Sequence, residues 1–281
     1  MIRTFTDKEL RGKGFTADSP LDIVRHVAAE CPGLGVRFGD AGWAGRPEMD
    51  SWDRLLPCYS QPWKKGIDLI TRMTDEIRAD LPMPKSVRRR GRWDDNDGEV
   101  CVDRVLRGEP DFYRTTRRAD SAGPRNVALL LHVGGAALYS PEQMLWRGAA
   151  AISALDLLEE AGYSAEVWVW NVARGTFRGA CPDSFIACKV KECGEPVELT
   201  TMANVVSAWY YRLVCLRAKM TVAPYNSGMG MTSTYLSGWG KYMDVTEGIQ
   251  RVQVDVAFTK SGALEAARKV LEQVTSHQQG D

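Results

Sequence analysis

Residues 129–143 read LLLHVGGAALYSPEQ: an apolar run meets two glycines and then a helix start. In open α/β sheets ligands sit at the carboxyl ends of strands, so this turn is the first candidate for chemistry. His132 is its only side chain suited to act as a base or a nitrogen ligand, and as a base it would need a nucleophile such as a cysteine. The other histidines are His26, in a helical pattern beside Arg25, and His277, in a polar tail. No signature of nucleophilic catalysis surrounds His132, which ranks a hydrolase last among the readings. Ser140 opens the helix, whose free N–H groups and dipole favour an anion such as a phosphate or a partner's carboxylate. The plainer reading is that Gly134 and Gly135 permit a tight turn packed against that helix.

Other residue groups narrow the chemistry further. Cys181, Cys188 and Cys193 are separated by six and four residues, without the tight C-x-x-C pairs of structural zinc sites, and are read as plain thiols. WDDNDGE fails as a calcium loop. With Gly98 at the sixth position, Trp93 and Arg104 fall where the first and twelfth ligands belong. No phosphate-cradling G-x-x-x-x-G-K-[ST] pattern is present. The run KSVRRRGRW could contact nucleic-acid phosphates through Arg88, Arg89, Arg90 and Arg92, with Trp93 stacking on a base. Four acids follow at once, so a solvated loop or hairpin competes with that reading. No catalytic residue, metal or cofactor is expected.

The chain has 281 residues, with 44% apolar and 26% charged, ordinary for a globular protein able to bury a sizeable core. Lys plus Arg and Asp plus Glu both number 36, which removes any global pull toward nucleic acid or anionic lipid. The start, MIRTFTDKELRGKGF, is too polar for a signal peptide, and no apolar run has the length of a membrane span. The expectation is a cytoplasmic protein with reduced cysteines and no membrane partner.

These candidates must be held by regular elements. NVALLLHV is a continuous apolar run, the pattern of a strand buried on both faces. SPEQMLWRGAAAISALDLLEEAG predicts a helix with Ser140 and Gln143 as a capping box and Pro141 as the first helical residue. AEVWVWNV and SFIACKVKE predict two strands with no helix between them, hence antiparallel neighbours. LTTMANVVSAWYYRLVCLRAKM predicts one long helix, VQVDVAF a strand, and the residues from Ser261 a closing helix. The order implies an α/β sheet, mostly parallel with one antiparallel strand. Residues 1–124 differ: they are rich in Pro, Gly, Trp and Arg, with helices predicted over SPLDIVRHVAAECPG and WKKGIDLITRMTDEIRADLPMP. Trp168 and Trp170 share one strand face and are expected to pack under a helix or under this N-terminal part.

RNVALLLHVGGAALYSPEQMLWRGAAAISALDLLEEAGYSAEVWVWNVA resembles the first half of a von Willebrand factor A-like domain. The resemblance spans about residues 125–275 and implies helices on both sheet faces, with residues 1–124 as an irregular helical extension and 125–281 as the α/β domain. It also implies a binding turn at His132, Gly134, Gly135, Ala136 and Ser140. The family's Asp-x-Ser-x-Ser motif offers hard oxygens to Mg²⁺, but the matching positions here are His132, Gly134 and Ala136, a degenerate metal-binding turn. VCVDRVLRGEPDFYR, with the whole arrangement, also resembles uncharacterised proteins encoded by phages and mobile elements. The resemblance implies a non-enzymatic protein-interaction or scaffold module with a protein partner, and nucleic-acid association through residues 85–93 is the alternative. Binding to single- and double-stranded nucleic acid across a salt series checks that alternative. A basic-run contact predicts affinity falling steeply with salt, and a flat signal for both at low salt discards it.

Overall fold

The computed structural model describes residues 1–81, 91–94, 99–100, 105, 112–116, 125–173, 183–223, 232–233 and 236–276. The continuous apolar run becomes β6 (Arg125–His132), flanked by β7 (Tyr163–Ala173) and β10 (Gln250–Val254), both parallel to it. β8 (Asp183–Lys191) lies antiparallel to β7, as the sequence pattern predicts. Its far edge carries a hairpin of β1 (Ile2–Asp7) and β2 (Gly12–Ala17), with β2 parallel to β8. The order is β1-β2-β8-β7-β6-β10, and three of the five neighbour pairs are parallel. β9 (Thr232–Ser233) pairs with the end of β7. β3 (Gly91–Asp94), β4 (Glu99–Val100) and β5 (Tyr113–Thr116) form a separate antiparallel sheet.

The hairpin goes beyond the sequence reading, which took these residues only as a polar start. β1 is an edge strand with mostly unburied side chains, so it lacks the apolar alternation that marks a strand. Asp7 ties the hairpin turn. Its carboxylate accepts the N–H groups of Glu9 and Leu10 at 2.8 and 2.9 Å, and Lys241 sits 2.6 Å away. The helices of the first eighty residues are α1 (Pro20–Gly33), α2 (Ala41–Ala44), α3 (Trp52–Ser60) and α4 (Lys64–Arg78). Ser19 caps α1 by accepting the Asp22 N–H, and Pro20 opens it, as read from the sequence. Arg78 ties α4 to α5 (Trp146–Glu160) through Asp156 at 3.1 Å and Glu160 at 2.6 Å, so one packed core crosses residue 124.

Among the described residues, the α-helices that pack on the sheet lie on one of its faces. One face carries Val127, Leu129 and Leu131 of β6 against residues of α1, α3, α4, α5 and α8 (Lys260–Ser276). The opposite face carries Ala128, Leu130, Trp168 and Trp170, and residues 236–249 cover it with a single 3₁₀ turn, Ser237–Tyr242. The tryptophans therefore pack partly under the N-terminal part, as expected, through Phe5 and Leu10 of its hairpin rather than through its helices. Trp239 stacks on Phe185 at 5.4 Å, and Phe5 of the hairpin joins the cluster. A charged group is buried here too: Glu166, 0% exposed, accepts from Trp168 Nε1 and from Thr246, with Lys189 3.6 Å away.

The predicted long helix over 199–220 is corrected. It divides into α6 (Leu199–Val205), a π-helical stretch Tyr210–Cys215, and α7 (Leu216–Val222). Ser207 marks the break: its hydroxyl donates to the Asn204 carbonyl and accepts the Tyr210 N–H at 3.1 Å. Competition of this kind between a serine side chain and the helical ladder leaves no trace in an apolar stripe. The break brings Val206 against α5 at Gly148, where an added Cβ would lie 2.5 Å from Val206 Cγ2. Gly148→Val is expected to destabilise by about 1–3 kcal/mol through overpacking. Gly33→Ala, with nothing within 4 Å of the new Cβ, should be neutral or stabilising by up to about 1 kcal/mol. Urea unfolding of both variants reads the difference.

Candidate functional site

β6 ends in a turn whose backbone is held almost group by group. The Val133 N–H extends the ladder to the Trp170 carbonyl at 2.8 Å, and the Val133 carbonyl accepts from Asn171 Nδ2 at 2.6 Å. The Gly134 carbonyl accepts from Arg147 Nη1. The Gly135 N–H reaches the Tyr211 hydroxyl. Arg212 Nη2 donates to the Tyr139 carbonyl at 2.7 Å and to that of Ala137 at 3.4 Å. The capping box forms as read from the sequence. The Gln143 N–H donates to Ser140 Oγ at 3.1 Å, and the Ser140 N–H donates to Gln143 Oε1 at 2.8 Å. A 3₁₀ turn, Gln143–Leu145, then leads into α5.

The predicted turn residues thus stand in one loop with different surroundings. His132 is 1% exposed, its ring tilted on Trp170 at 4.8 Å and its Nε2 3.4 Å from Asn171 Nδ2. Gly134 is buried, Gly135 half-buried, and Ala136 and Ser140 exposed. The residues do not fit a divalent cation: the Gly134 oxygen is held by a guanidinium, and Arg147 and Lys219 bear electrostatically on His132. Among the described residues no group of three or more His, Cys, Asp or Glu could hold a metal ion. Cys181, His277 and Arg88, Arg89 and Arg90 of the basic run lie outside the described residues. Arg92 and Trp93 pair through β3 with Thr115 and Arg114 of β5. Cys188 is buried against Tyr210, and Cys193 donates weakly to the Ser164 carbonyl at 3.8 Å.

A family model described as a domain of unknown function (DUF7192) matches residues 20–272. The chain belongs to this family. The match covers everything from α1 nearly to the end of α8, and the β1–β2 hairpin precedes it. No curated protein and no solved structure matches the chain.

Beneath its turn this DUF7192 chain gathers charges that the sequence reading did not single out. Arg147, Arg212 and Lys219 are 0, 1 and 0% exposed, and all three come from the apolar helical stretches 146–160 and 210–222. The available signal was a lone cation in an otherwise apolar helix (Arg147) and a pair seven residues apart, close to two helical turns (Arg212 and Lys219). Lys219 Nζ donates to Asn171 Oδ1. Burial lowers Lys219 to about 7, against the partial support of Cys215. Burial, then the positive charges of Arg147 and Lys219, lower His132 to about 3 and keep it neutral. Burial brings Arg147 down to about 10, with Tyr211 and Cys215 opposing the shift and Arg212 adding to it.

The sign of the resulting pH dependence follows. Between pH 7 and the ordinary lysine value of 10.5 the unfolded chain holds a proton on Lys219 that the folded chain has lost, so stability rises with pH. Below 6.5 the unfolded chain protonates His132, and also His26, which burial lowers, while the folded chain resists. Tm is therefore expected to climb from about pH 5 to about 8.5, before unfolded cysteines titrate. Lys219→Met should flatten the limb above pH 7 and leave the acid limb in place, as read by thermal melts across that range.

Proposed function

We propose that this DUF7192 protein is a non-enzymatic protein-interaction or scaffold module, contacting its partner through the turn after β6. The observation that carries this is Leu138: it is 93% exposed, the most exposed large apolar side chain among the described residues, on a backbone held from both sides. Trp43 of α2 is 41% exposed. One guanidinium joins the two. Arg212 lies 4.0 Å over the Trp43 ring, donates to the Trp43 carbonyl at 2.7 Å, and donates to the carbonyls on either side of Leu138. Gly45, at φ 87°, lets α2 close on Pro141.

A tryptophan and a leucine presented on a pre-ordered surface suit a partner protein with an apolar cup. Burying such a leucine is worth about 1.5–3 kcal/mol. Holding the turn in advance removes part of the ordering cost of binding. The succession of β6, turn, α5, β7 and antiparallel β8 agrees with the von Willebrand A-like reading, in which this turn faces the ligand. In that reading the metal ligands are lost and contact is made by side chains alone. A phage or mobile-element protein acting in the host cytoplasm is the setting this reading favours.

Affinity capture from the native host with wild-type protein, Leu138→Asp and Trp43→Ser tests the proposal. A partner retained by wild type should be lost from both variants, with Tm unchanged in Leu138→Asp, since exposed substitutions stay within about 0.5 kcal/mol. Undiminished capture by Leu138→Asp would overturn it.

A further inference from the structure

A cleft of about 450 Å³ opens where the end of β8, the start of α1, the end of α3 and the start of α6 meet. β8 runs against β6 and β7, so the cleft lies at the opposite end of the sheet from the turn after β6. Its volume is in the range of small-molecule sites. Leu21, Val190 and Tyr59 give it apolar wall, and Glu195 and Glu198 give it charge. Two lysines also line it, but each is matched by a carboxylate. Lys191 Nζ lies 2.8 Å from Glu159, and Lys189 Nζ lies 2.9 Å from Glu192. Asp18 is matched by Arg3 at 3.3 Å. Glu195 and Glu198 face no such cation among the described residues. Glu195 accepts the Glu192 N–H at 3.4 Å, and Glu198 accepts the Thr201 hydroxyl at 2.6 Å.

Tyr59 is the second observation. It is 8% exposed and lines the cleft, and its hydroxyl stands within hydrogen-bond range of Thr201. Burial, then Cys188 and Glu198, raise the Tyr59 hydroxyl above its ordinary value, so it stays protonated. The single Thr201 proton already goes to Glu198, so Tyr59 is the donor in that contact. Its oxygen therefore keeps lone pairs that no donor fills among the described residues. The donors of the wall are spent elsewhere: Asn204, 1% exposed, gives Nδ2 to the Tyr59 carbonyl at 3.4 Å. At the start of α1, Pro20 has no N–H and Ser19 takes that of Asp22. Tyr59 and Ser60 end α3, whose carbonyl end adds partial negative charge. The open groups thus accept, and the charge is negative. We propose that this cleft binds an aliphatic diamine or polyamine, with Glu195, Glu198 and Tyr59 as its acceptors. An ammonium carries three donors and no acceptor, and its methylene stem suits Leu21 and Val190. Two unmatched carboxylates in one cleft favour a dication over a single charge. The site is separate from the Leu138 surface and does not depend on the partner reading.

Calorimetric titration of the full chain with the diamine putrescine, near neutral pH and at low salt, tests this. Putrescine should give a saturable heat that magnesium chloride at equal ionic strength and neutral butanediol do not. Glu198→Gln keeps an acceptor for Thr201, and Glu195 and Glu198 are both exposed, so Glu195→Gln and Glu198→Gln should fold with unchanged Tm. Each should weaken putrescine by about tenfold. Tyr59→Phe keeps the ring beside Trp209 and Tyr210 and should weaken it severalfold. The absence of a saturable heat, an equal heat from magnesium chloride, or unchanged affinity in Glu198→Gln would overturn the proposal. Tighter binding of the peptide acetyl-Gly-Lys-Gly-amide than of putrescine would also overturn it, making the occupant a lysine of another protein.

Discussion

Arg147 extends from the first turn of α5 to the carbonyl of Gly134, and its guanidinium is fully buried there. Its second arm donates to Val206, where the chain breaks between α6 and the π-helical stretch. One side chain thus couples the end of the central strand, the start of the helix that follows it, and a break in a neighbouring helix. A buried charge of this kind tolerates little rearrangement, because any acceptor it loses leaves a desolvated donor behind. The turn after β6 inherits its order from this contact and from the parallel role of Arg212 on the far side of Leu138.

The sheet is correspondingly lopsided. The major helices pack on the face that supplies Arg147, Arg212 and Lys219, so the polar cluster is sealed by a full helical layer. The opposite face is closed more thinly, by aromatic rings and residues 236–249, with Glu166 as its own buried charge. The two faces solve the same problem differently. Glu166 is matched by nearby donors and a lysine, whereas the hydrogen bonds of Arg147 and Arg212 among the described residues go to carbonyls. That contrast makes the carboxyl end of β6 the chemically distinctive part of the molecule, although it carries none of the oxygen ligands its position suggests.

Much of this was legible in the sequence because it rests on short-range rules. The unbroken apolar run of β6, the Ser140–Gln143 capping box, the Ser19–Pro20 start of α1 and the antiparallel β7–β8 pair each depend on residues a few positions apart. The same holds for the lost metal ligands, since His132, Gly134 and Ala136 are read directly from the string. Tertiary structure alone decided which sheet face the helices took, that a polar edge hairpin completed the sheet, and that Ser207 interrupted an apparently continuous helix. It alone also brought Arg147, Arg212 and Lys219 beneath one turn. The reason is physical. Local patterns determine how a segment bonds to itself, but a buried cation's environment is set by acceptors far along the chain, here from Trp43 to Val206.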